Sequence, residues 1–273
     1  MESTPLLKIQ LLIKELIGLD PLSMGEKNWI AAITRRIQQT GEQGIDAYLR
    51  LVLRSVEEQQ ELINEVVIPE TWFFREKRGL DALRAYVQED IARFRQGMPL
   101  RVLSLGCSTG EEPYSIVITL LETGLPVGTF RVEGVDVSTR SLEIARRARY
   151  GEYSFRGESG PLIRKYFRGD EGQKMLIDLV RFVVRFRRES ICTYPQSWSD
   201  KYDVIFCRNL LIYLTPELQK DAMRRLAQAL TPGGILIVGD SEFAKIPKER
   251  FEVAYLQGLR VYRTPEKAAA GER

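Results

Sequence analysis

The stretch Arg101-Val-Leu-Ser-Leu-Gly-Cys-Ser-Thr-Gly-Glu-Glu-Pro-Tyr-Ser115 decides the fold. Arg101–Leu105 is short and apolar, which predicts a strand; Gly106 and Gly110 then break the pattern, and Glu112–Glu122 has helical periodicity. The same unit recurs downstream. Phe130–Asp136 reads as a strand followed by a helix over Ser141–Arg149, and Asp203–Cys207 as a buried strand followed by a helix over Pro216–Leu230. After the turn Pro232-Gly-Gly234, Ile235–Gly239 is another strand, and Phe251–Leu256 and Leu259–Tyr262 are expected to close the sheet as a pair around Gly258. Strands alternating with helices imply an α/β, Rossmann-like domain whose mainly parallel sheet is covered on both faces.

Two regions depart from that rhythm. Between about 150 and 189, Met175–Ile177 and Val180–Phe186 read as a small antiparallel β insertion. Residues 1–68 read as an all-α N-terminal domain, with apolar stripes at Leu7, Ile9, Leu11, Leu12, Leu16 and Ile17, at Trp29, Ile30, Ile33 and Ile37, and at Tyr48, Leu51, Leu53 and Val56. Those stripes are expected to be core, leaving function to polar positions such as Lys27, Arg35 and Arg36. The division expected is therefore 1–68 helical, 69–264 α/β with its insertion, and a disordered tail at 265–273.

Composition narrows the chemistry. The chain has no histidine, which excludes an imidazole base and any metal site that needs one. Cys107, Cys192 and Cys207 are dispersed and odd in number, so neither a disulfide framework nor a sulfur-only metal site is expected. No apolar run reaches the roughly 20 residues of a membrane span. Lys8, Lys14 and Glu15 interrupt the apolar N-terminal stretch, unlike a secretory signal, so a cytoplasmic protein without membrane insertion is expected. The net charge is only +3, but thirteen basic residues face seven acidic ones between 140 and 190. Such a run serves equally as a solvated face or as a patch for an acidic surface or a phosphate backbone.

The glycine turn carries the first ligand signal. A dinucleotide site requires Gly-x-Gly-x-x-Gly, which sets a helix N-terminus against a pyrophosphate. Here Gly106-Cys-Ser-Thr-Gly110 is followed by Glu111 and Glu112, whose carboxylates repel a pyrophosphate and suit a cationic ligand bearing an amino group and a sulfonium. S-adenosylmethionine has that chemistry. Asp136 ends the second strand, where an acid can accept from both ribose hydroxyls; Ser138 is an equally good helix cap, which leaves Asp136 for the ligand.

Three segments together, Glu70-Thr-Trp-Phe-Phe-Arg-Glu76, Gly106-Cys-Ser-Thr-Gly-Glu-Glu-Pro-Tyr-Ser115 and Ile205-Phe-Cys-Arg-Asn-Leu-Leu-Ile-Tyr213, resemble the CheR-type chemotaxis receptor methyltransferases, which esterify receptor glutamates. Pro232-Gly-Gly234 and Gly239-Asp-Ser-Glu242 fit the same pattern. The resemblance implies that Thr71 and Arg75 lie over the cofactor, with Arg75 also facing the substrate carboxylate. It implies that Gly106 and Glu112 hold the methionine end, Asp136 the ribose, and Ser190 and Ile191 the adenine. Arg208 and Asn209 would line the methionine side, and Tyr213 the site of methyl transfer. Pro69 and Ser190 depart from the family, which commonly has Asn at both positions.

A glutamate is already ionised near neutral pH, so such a reaction needs no general base, consistent with a chain lacking histidine. The implied partner is the cytoplasmic helices of a methyl-accepting receptor. The compact stretch from Phe167 to Ser190 suggests recognition without a C-terminal tether peptide, by a monomer that binds no nucleic acid. Two alternatives are a methyltransferase of nucleic acid or a small molecule that uses the basic stretch, and a non-catalytic S-adenosylmethionine-binding signalling module.

Overall fold

The computed structural model describes residues 4–89, 92, 94, 97–156, 160–169, 172–193, 201–245 and 250–265. The expected tail beyond Pro265 lies outside them. No helix among the described residues is long and apolar enough to cross a membrane.

The N-terminal region folds into α1 (Pro5–Ile17), α2 (Pro21–Met24), α3 (Glu26–Thr40), α4 (Ile45–Arg54) and α5 (Val56–Val66). Local chemistry sets several of their ends. Thr4 and Asp20 cap α1 and α2 immediately before Pro5 and Pro21, where a missing N–H costs nothing. Gly18 ends α1 at φ 78°, a conformation that penalises any Cβ, and Ser55 terminates α4 while capping α5. Ile9, Ile13, Trp29, Tyr48, Val52 and Leu62 bury fully to make the core, whereas Leu7, Leu11, Ile30, Leu53 and Val56 of the expected stripes are exposed.

Arg36, expected on a polar face, is instead buried. It pairs with Glu58 at 2.7 Å, and the Tyr48 hydroxyl donates to the same carboxylate at 2.8 Å. This triad joins α3, α4 and α5 and leaves Arg36 unavailable to a partner. Arg35 is half-exposed and pairs with Glu65, and Lys27 remains at the surface.

After α6 (Arg78–Glu89), which the apolar pattern did not single out, the chain enters the main sheet. β1 (Leu100–Leu105) leads through α7 (Glu111–Glu122) to β2 (Phe130–Asp136) and then α8 (Thr139–Arg147). That helix starts and ends two residues earlier than expected. Ser138 accepts from the Ser141 N–H as its cap, and Arg149 already belongs to β3 (Arg149–Tyr150). Next come α9 (Pro161–Tyr166), β4 (Phe167–Arg168), β5 (Lys174–Leu176), α10 (Asp178–Arg181) and β6 (Val184–Arg188). β7 (Tyr202–Cys207), α11 (Pro216–Ala229), β8 (Leu230–Val238), β9 (Glu252–Leu256) and β10 (Leu259–Arg263) complete the order.

The seven-stranded sheet runs β6-β2-β1-β7-β8-β10-β9, parallel except for β10, which pairs antiparallel with both neighbours. This is the Rossmann-like α/β architecture expected, and its order reverses between β1 and β7, where such sheets place ligands.

The insertion is antiparallel but built from other strands than expected. β5 pairs with β3 and β4, while Val180–Phe186 does not pair with Met175–Ile177. Asp178–Arg181 is a helical turn, and Val184–Arg188 joins the main sheet parallel to β2, from Val132↔Val184 to Asp136↔Arg188. Packing favours this arrangement: the Phe186 ring covers Gly134 so closely that a Cβ there would lie 2.8 Å from it.

Candidate active site

A cavity of about 250 Å³ opens at the carboxyl ends of β1, β2 and β7, bounded on its other side by Ile17, Leu19, Met24, Val66 and Val67 of the helical region. Thr71, Arg75, Gly106, Glu112, Asp136, Ser190, Ile191, Arg208, Asn209 and Tyr213 all line it. The structure therefore brings together every site residue named from the sequence. Direct bonds hold the helical region against the cavity. Asp20 N–H donates to the Tyr213 carbonyl at 2.7 Å, Gln60 donates to the Val137 carbonyl at 3.0 Å, and Arg140 pairs with Glu65 at 2.9 Å.

The glycine turn is shaped by bonds to β2. The N–H groups of Gly106 and Cys107 both donate to the Val135 carbonyl, and that of Ser108 donates to Asp136 at 2.8 Å. Gly106 (φ 74°) lines the cavity. Gly110 (φ 95°) serves packing instead, since a Cβ there would lie 2.8 Å from Cβ of Ala145 on α8.

The two acids after the turn have different environments, which revises the reading that both face a ligand. Glu111 is buried away from the cavity and accepts from the hydroxyls of Thr109 at 2.6 Å and Ser154 at 2.8 Å. Burial pushes its pKa up, against those two bonds. Glu112 alone reaches the cavity, accepting from the Ser104 hydroxyl at 2.7 Å and pairing with Arg208 at 2.9 Å.

Arg208 is the hub of this wall. Its side chain, only 4% exposed, also pairs with Glu76 at 3.0 Å and donates to the Arg75 carbonyl at 2.8 Å. Burial opposes its charge, but Glu112 and Glu76 outweigh that and hold its pKa up. One guanidinium between two carboxylates leaves a net charge of −1, which matches the cationic methionine end of S-adenosylmethionine without requiring two free acids. Sequence reasoning missed Glu76 and Ser104. Glu76 stood inside a quoted motif, but its pairing across 132 positions to Arg208 has no local signal.

Asp136 is buried and accepts from Ser108 N–H at 2.8 Å and Ser138 N–H at 2.9 Å. Burial raises its pKa, opposed by those backbone bonds. Each carboxylate oxygen has two lone pairs, so one bond apiece leaves acceptor capacity for a ribose. Because Ser138 also caps α8, Asp136 is not consumed by the helix end.

Ser190 and Ile191 follow β6 and are buried, and the Ser190 hydroxyl accepts from the Cys192 N–H at 3.1 Å. Phe73 anchors the segment carrying Thr71 and Arg75, stacked on Phe155 with ring centroids 5.3 Å apart and edge-on to Tyr150 and Phe167. Phe74 N–H donates to the Ser115 hydroxyl at 3.0 Å. Arg75 lies 4.4 Å from the Trp72 ring centroid and donates to the Glu70 carbonyl at 2.6 Å, and its Nε has no hydrogen-bond partner among the described residues.

Asn209 adopts φ 56°, and its N–H donates at 2.8 Å to Glu242, a fully buried carboxylate that also takes the N–H groups of Gly239 and Leu211. Glu242 stood in a motif that fitted the family, but no role was assigned to it. Its effect is to shape the turn Leu211–Tyr213, whose Tyr213 packs against the core of the helical region.

The cavity has the chemistry expected for the inferred ligand, with the buried acid Asp136 at the end of β2, the Arg208 cluster with its two carboxylates on one wall, and apolar sides. Residues 69–258 match the family described as CheR methyltransferase, SAM binding domain. A probable biofilm formation methyltransferase WspC of Pseudomonas putida is 38% identical over 232 residues, covering 84% of this chain and 54% of that protein. Chemotaxis protein methyltransferase 2 of Vibrio cholerae is 35% identical, covering 88% of this chain and 86% of its own length. The chemotaxis protein methyltransferase of Escherichia coli is 33% identical over 84% of this chain and 80% of its own. This chain thus spans about half the length of the first of these relatives and most of the other two. The chain belongs to the CheR methyltransferase family, and residues 69–258 form its S-adenosylmethionine-binding domain.

Proposed function

We propose that this chain methylates glutamate side chains on the cytoplasmic helices of a methyl-accepting chemoreceptor, giving methyl esters and S-adenosylhomocysteine. The observation that carries this reading is a cavity of about 250 Å³ with Arg75 and Tyr213 on its wall, in a chain with no imidazole. A carboxylate needs only to be aligned and shielded from water, because no proton leaves it. Bound S-adenosylmethionine would supply an electrophilic methyl group on a sulfonium.

The chain's own residues do the rest. Glu112, held by Arg208 and Ser104, would take the ligand's ammonium with Gly106 and Asn209 beside it. Asp136 would accept from the ribose, and Ser190 and Ile191 would flank the adenine. Arg75, with Thr71 beside it, would orient the incoming carboxylate, while Tyr213 packs at or donates to the site of transfer. Charge is consumed as carboxylate and sulfonium combine, so an over-tight pair with Arg75 would slow the step. Arg75 is held by the Glu70 carbonyl, by Glu76 at 3.9 Å from its Nε and by the Trp72 ring, which suits an orienting role.

Residues 1–68 would form the receptor-facing domain, through exposed positions such as Lys27 rather than Arg36. The edges of the insertion, β3 and β4, are two residues each, which offers little backbone for strand addition and favours recognition without a tether peptide. A micromolar complex with a receptor C-terminal peptide in calorimetry would overturn that part. The basic stretch is internally engaged: Arg140 pairs with Glu61 and Glu65, Lys165 with Glu122, and Arg187 with Glu133 and Glu189, which weakens the nucleic-acid alternative.

Tritiated S-adenosylmethionine with receptor cytoplasmic fragments tests the whole reading. Label released as methanol by mild alkali is expected, with Arg75→Ala and Tyr213→Phe each cutting the rate about tenfold or more, the scale of one charge-assisted hydrogen bond. Alkali-stable label, or full rates in both variants, refutes it.

A further inference from the structure

Outside the cofactor cavity, a second guanidinium sits at its mouth. Arg156 Cζ lies 4.0 Å from the Trp72 ring centroid and 3.9 Å from that of Tyr153. Trp72 lines the cavity and carries Arg75 at 4.4 Å as well, so the two guanidiniums are no more than about 8 Å apart. Tyr153 is 60% exposed and the Arg156 side chain 34%, so this stack faces solvent beside the opening.

We propose that Arg156, held against Trp72 and Tyr153, is a second carboxylate site that takes an acidic side chain of the substrate helix one turn from the glutamate being methylated. The inference rests on the receptor-helix reading above and adds to it a residue that reads the substrate's neighbouring sequence.

Geometry supports it first. Side chains three or four apart on an α-helix have Cβ atoms about 5–6 Å apart, and one turn rises about 5.4 Å. Two flexible acid side chains so placed span the distance between Arg75 inside the mouth and Arg156 at its rim. Stacking on two aromatic rings fixes the plane of the Arg156 guanidinium, whose Nη2 already meets a carboxylate at 3.2 Å, for planar contact with an acid that displaces Glu70.

A carboxylate already marks the place. Glu70 Oε1 lies 3.2 Å from Arg156 Nη2, and the Glu70 side chain is 53% exposed. An exposed pair of this kind contributes little, so displacing Glu70 costs an incoming acid little. Glu70 ties to both guanidiniums at the mouth, through its carbonyl to Arg75 and its carboxylate to Arg156.

The test uses the full chain and a chemoreceptor cytoplasmic fragment that the wild-type protein esterifies. Arg156→Gln is expected to raise KM for the fragment about tenfold, with kcat and the Kd of S-adenosylhomocysteine unchanged; Arg156→Lys should not restore it, because an ammonium cannot make the stacked planar contact. Replacing by glutamine the acid one turn from a methylated glutamate should raise KM about tenfold with wild-type protein and less than twofold with Arg156→Gln. A KM within twofold of wild type for Arg156→Gln, or effects of the two changes that multiply fully, overturns this inference while leaving the receptor reading intact. A wild-type protein that esterifies no receptor fragment overturns both. The S-adenosylhomocysteine Kd separates a lost contact from a misfolded variant.

Discussion

Glu242→Gln is the most demanding perturbation the structure offers, because it replaces one oxygen by NH₂ and changes almost no volume. The carboxylate is fully buried, with Oε2 accepting from Asn209 N–H at 2.8 Å and Gly239 N–H at 2.9 Å, and Oε1 from Leu211 N–H at 2.7 Å. Oε1 also accepts from Ile212 N–H at 3.4 Å, so whichever oxygen a glutamine replaces by NH₂, two N–H groups lose their acceptor. Each hydrogen bond to a charged group contributes about 1.5–3 kcal/mol. The offset is also visible: burial pushes the Glu242 pKa up against its backbone bonds, so the amide escapes a desolvation cost that the carboxylate bears. The net loss expected is about 3 kcal/mol, or roughly 6–12 °C in Tm for a protein of this size. The loop concerned carries Arg208, Asn209 and Tyr213, and Asn209 at φ 56° stays there only while its N–H is held. Affinity for S-adenosylhomocysteine should therefore fall about tenfold in calorimetry, for loss of one such constraint. A Tm within 2 °C of wild type together with an unchanged Kd would refute the argument, since either the bonds or their effect on the loop would then be wrong.

Two further predictions separate packing from strain and pairing from exposure. At Gly106 (φ 74°) a Cβ meets only Leu210 atoms at 3.5 Å or more, so Gly106→Ala should cost about 1–2 kcal/mol of backbone strain; at Gly110, Ala145 Cβ at 2.8 Å adds a clash, so Gly110→Ala should cost clearly more in urea denaturation, and Ala145→Gly should recover part of it. Equal midpoints for the two alanine variants would contradict this. Burial pushes the Glu65 carboxyl up, but Arg35 and Arg140 outweigh it and hold its pKa below the ordinary 4.5. The stability linked to that depression is present above 4.5 and lost as pH falls through the folded value. Arg140 is 49% exposed, so Arg140→Ala should cost only about 0.5–1 kcal/mol at pH 7, measured as Tm, and the gap to wild type should close as Glu65 protonates; a gap that widens in acid would be inconsistent.

How far the sequence could be read depended on the range of the interactions. The strand–turn–helix units were legible because apolar periodicity and glycine turns are local, as at Arg101–Ser115. The strand over Val184–Arg188 was not, because an apolar run next to Met175–Ile177 looks like a hairpin, while its actual partner, β2, lies some fifty residues earlier in the chain. Glu111 and Glu112 are adjacent and of one type, and nothing local shows that Thr109 and Ser154 draw one inward while Arg208 draws the other to the cavity. Arg36 had the same difficulty: it was expected on a polar face of α3, and only Glu58 and Tyr48 on other helices bury it.

Arg208 explains why three separated motifs occur together. Its guanidinium contacts Glu76 and the Arg75 carbonyl from the first motif and Glu112 from the second, while the residue itself belongs to the third. Removing Arg208 leaves two carboxylates uncompensated, a larger penalty than the loss of one exposed pair, whereas removing either acid takes the cluster from a net −1 to neutral. Glu76→Gln should therefore weaken cofactor binding although Glu76 does not line the cavity, because an Arg208 left with one acid would cancel the charge of Glu112 that the ammonium needs. Isothermal titration of Glu76→Gln with S-adenosylmethionine and with sinefungin, which replaces the sulfonium by a carbon bearing an amine, should show weaker binding of both. Unchanged affinity for both would mean that the net charge of this wall does not govern the methionine end.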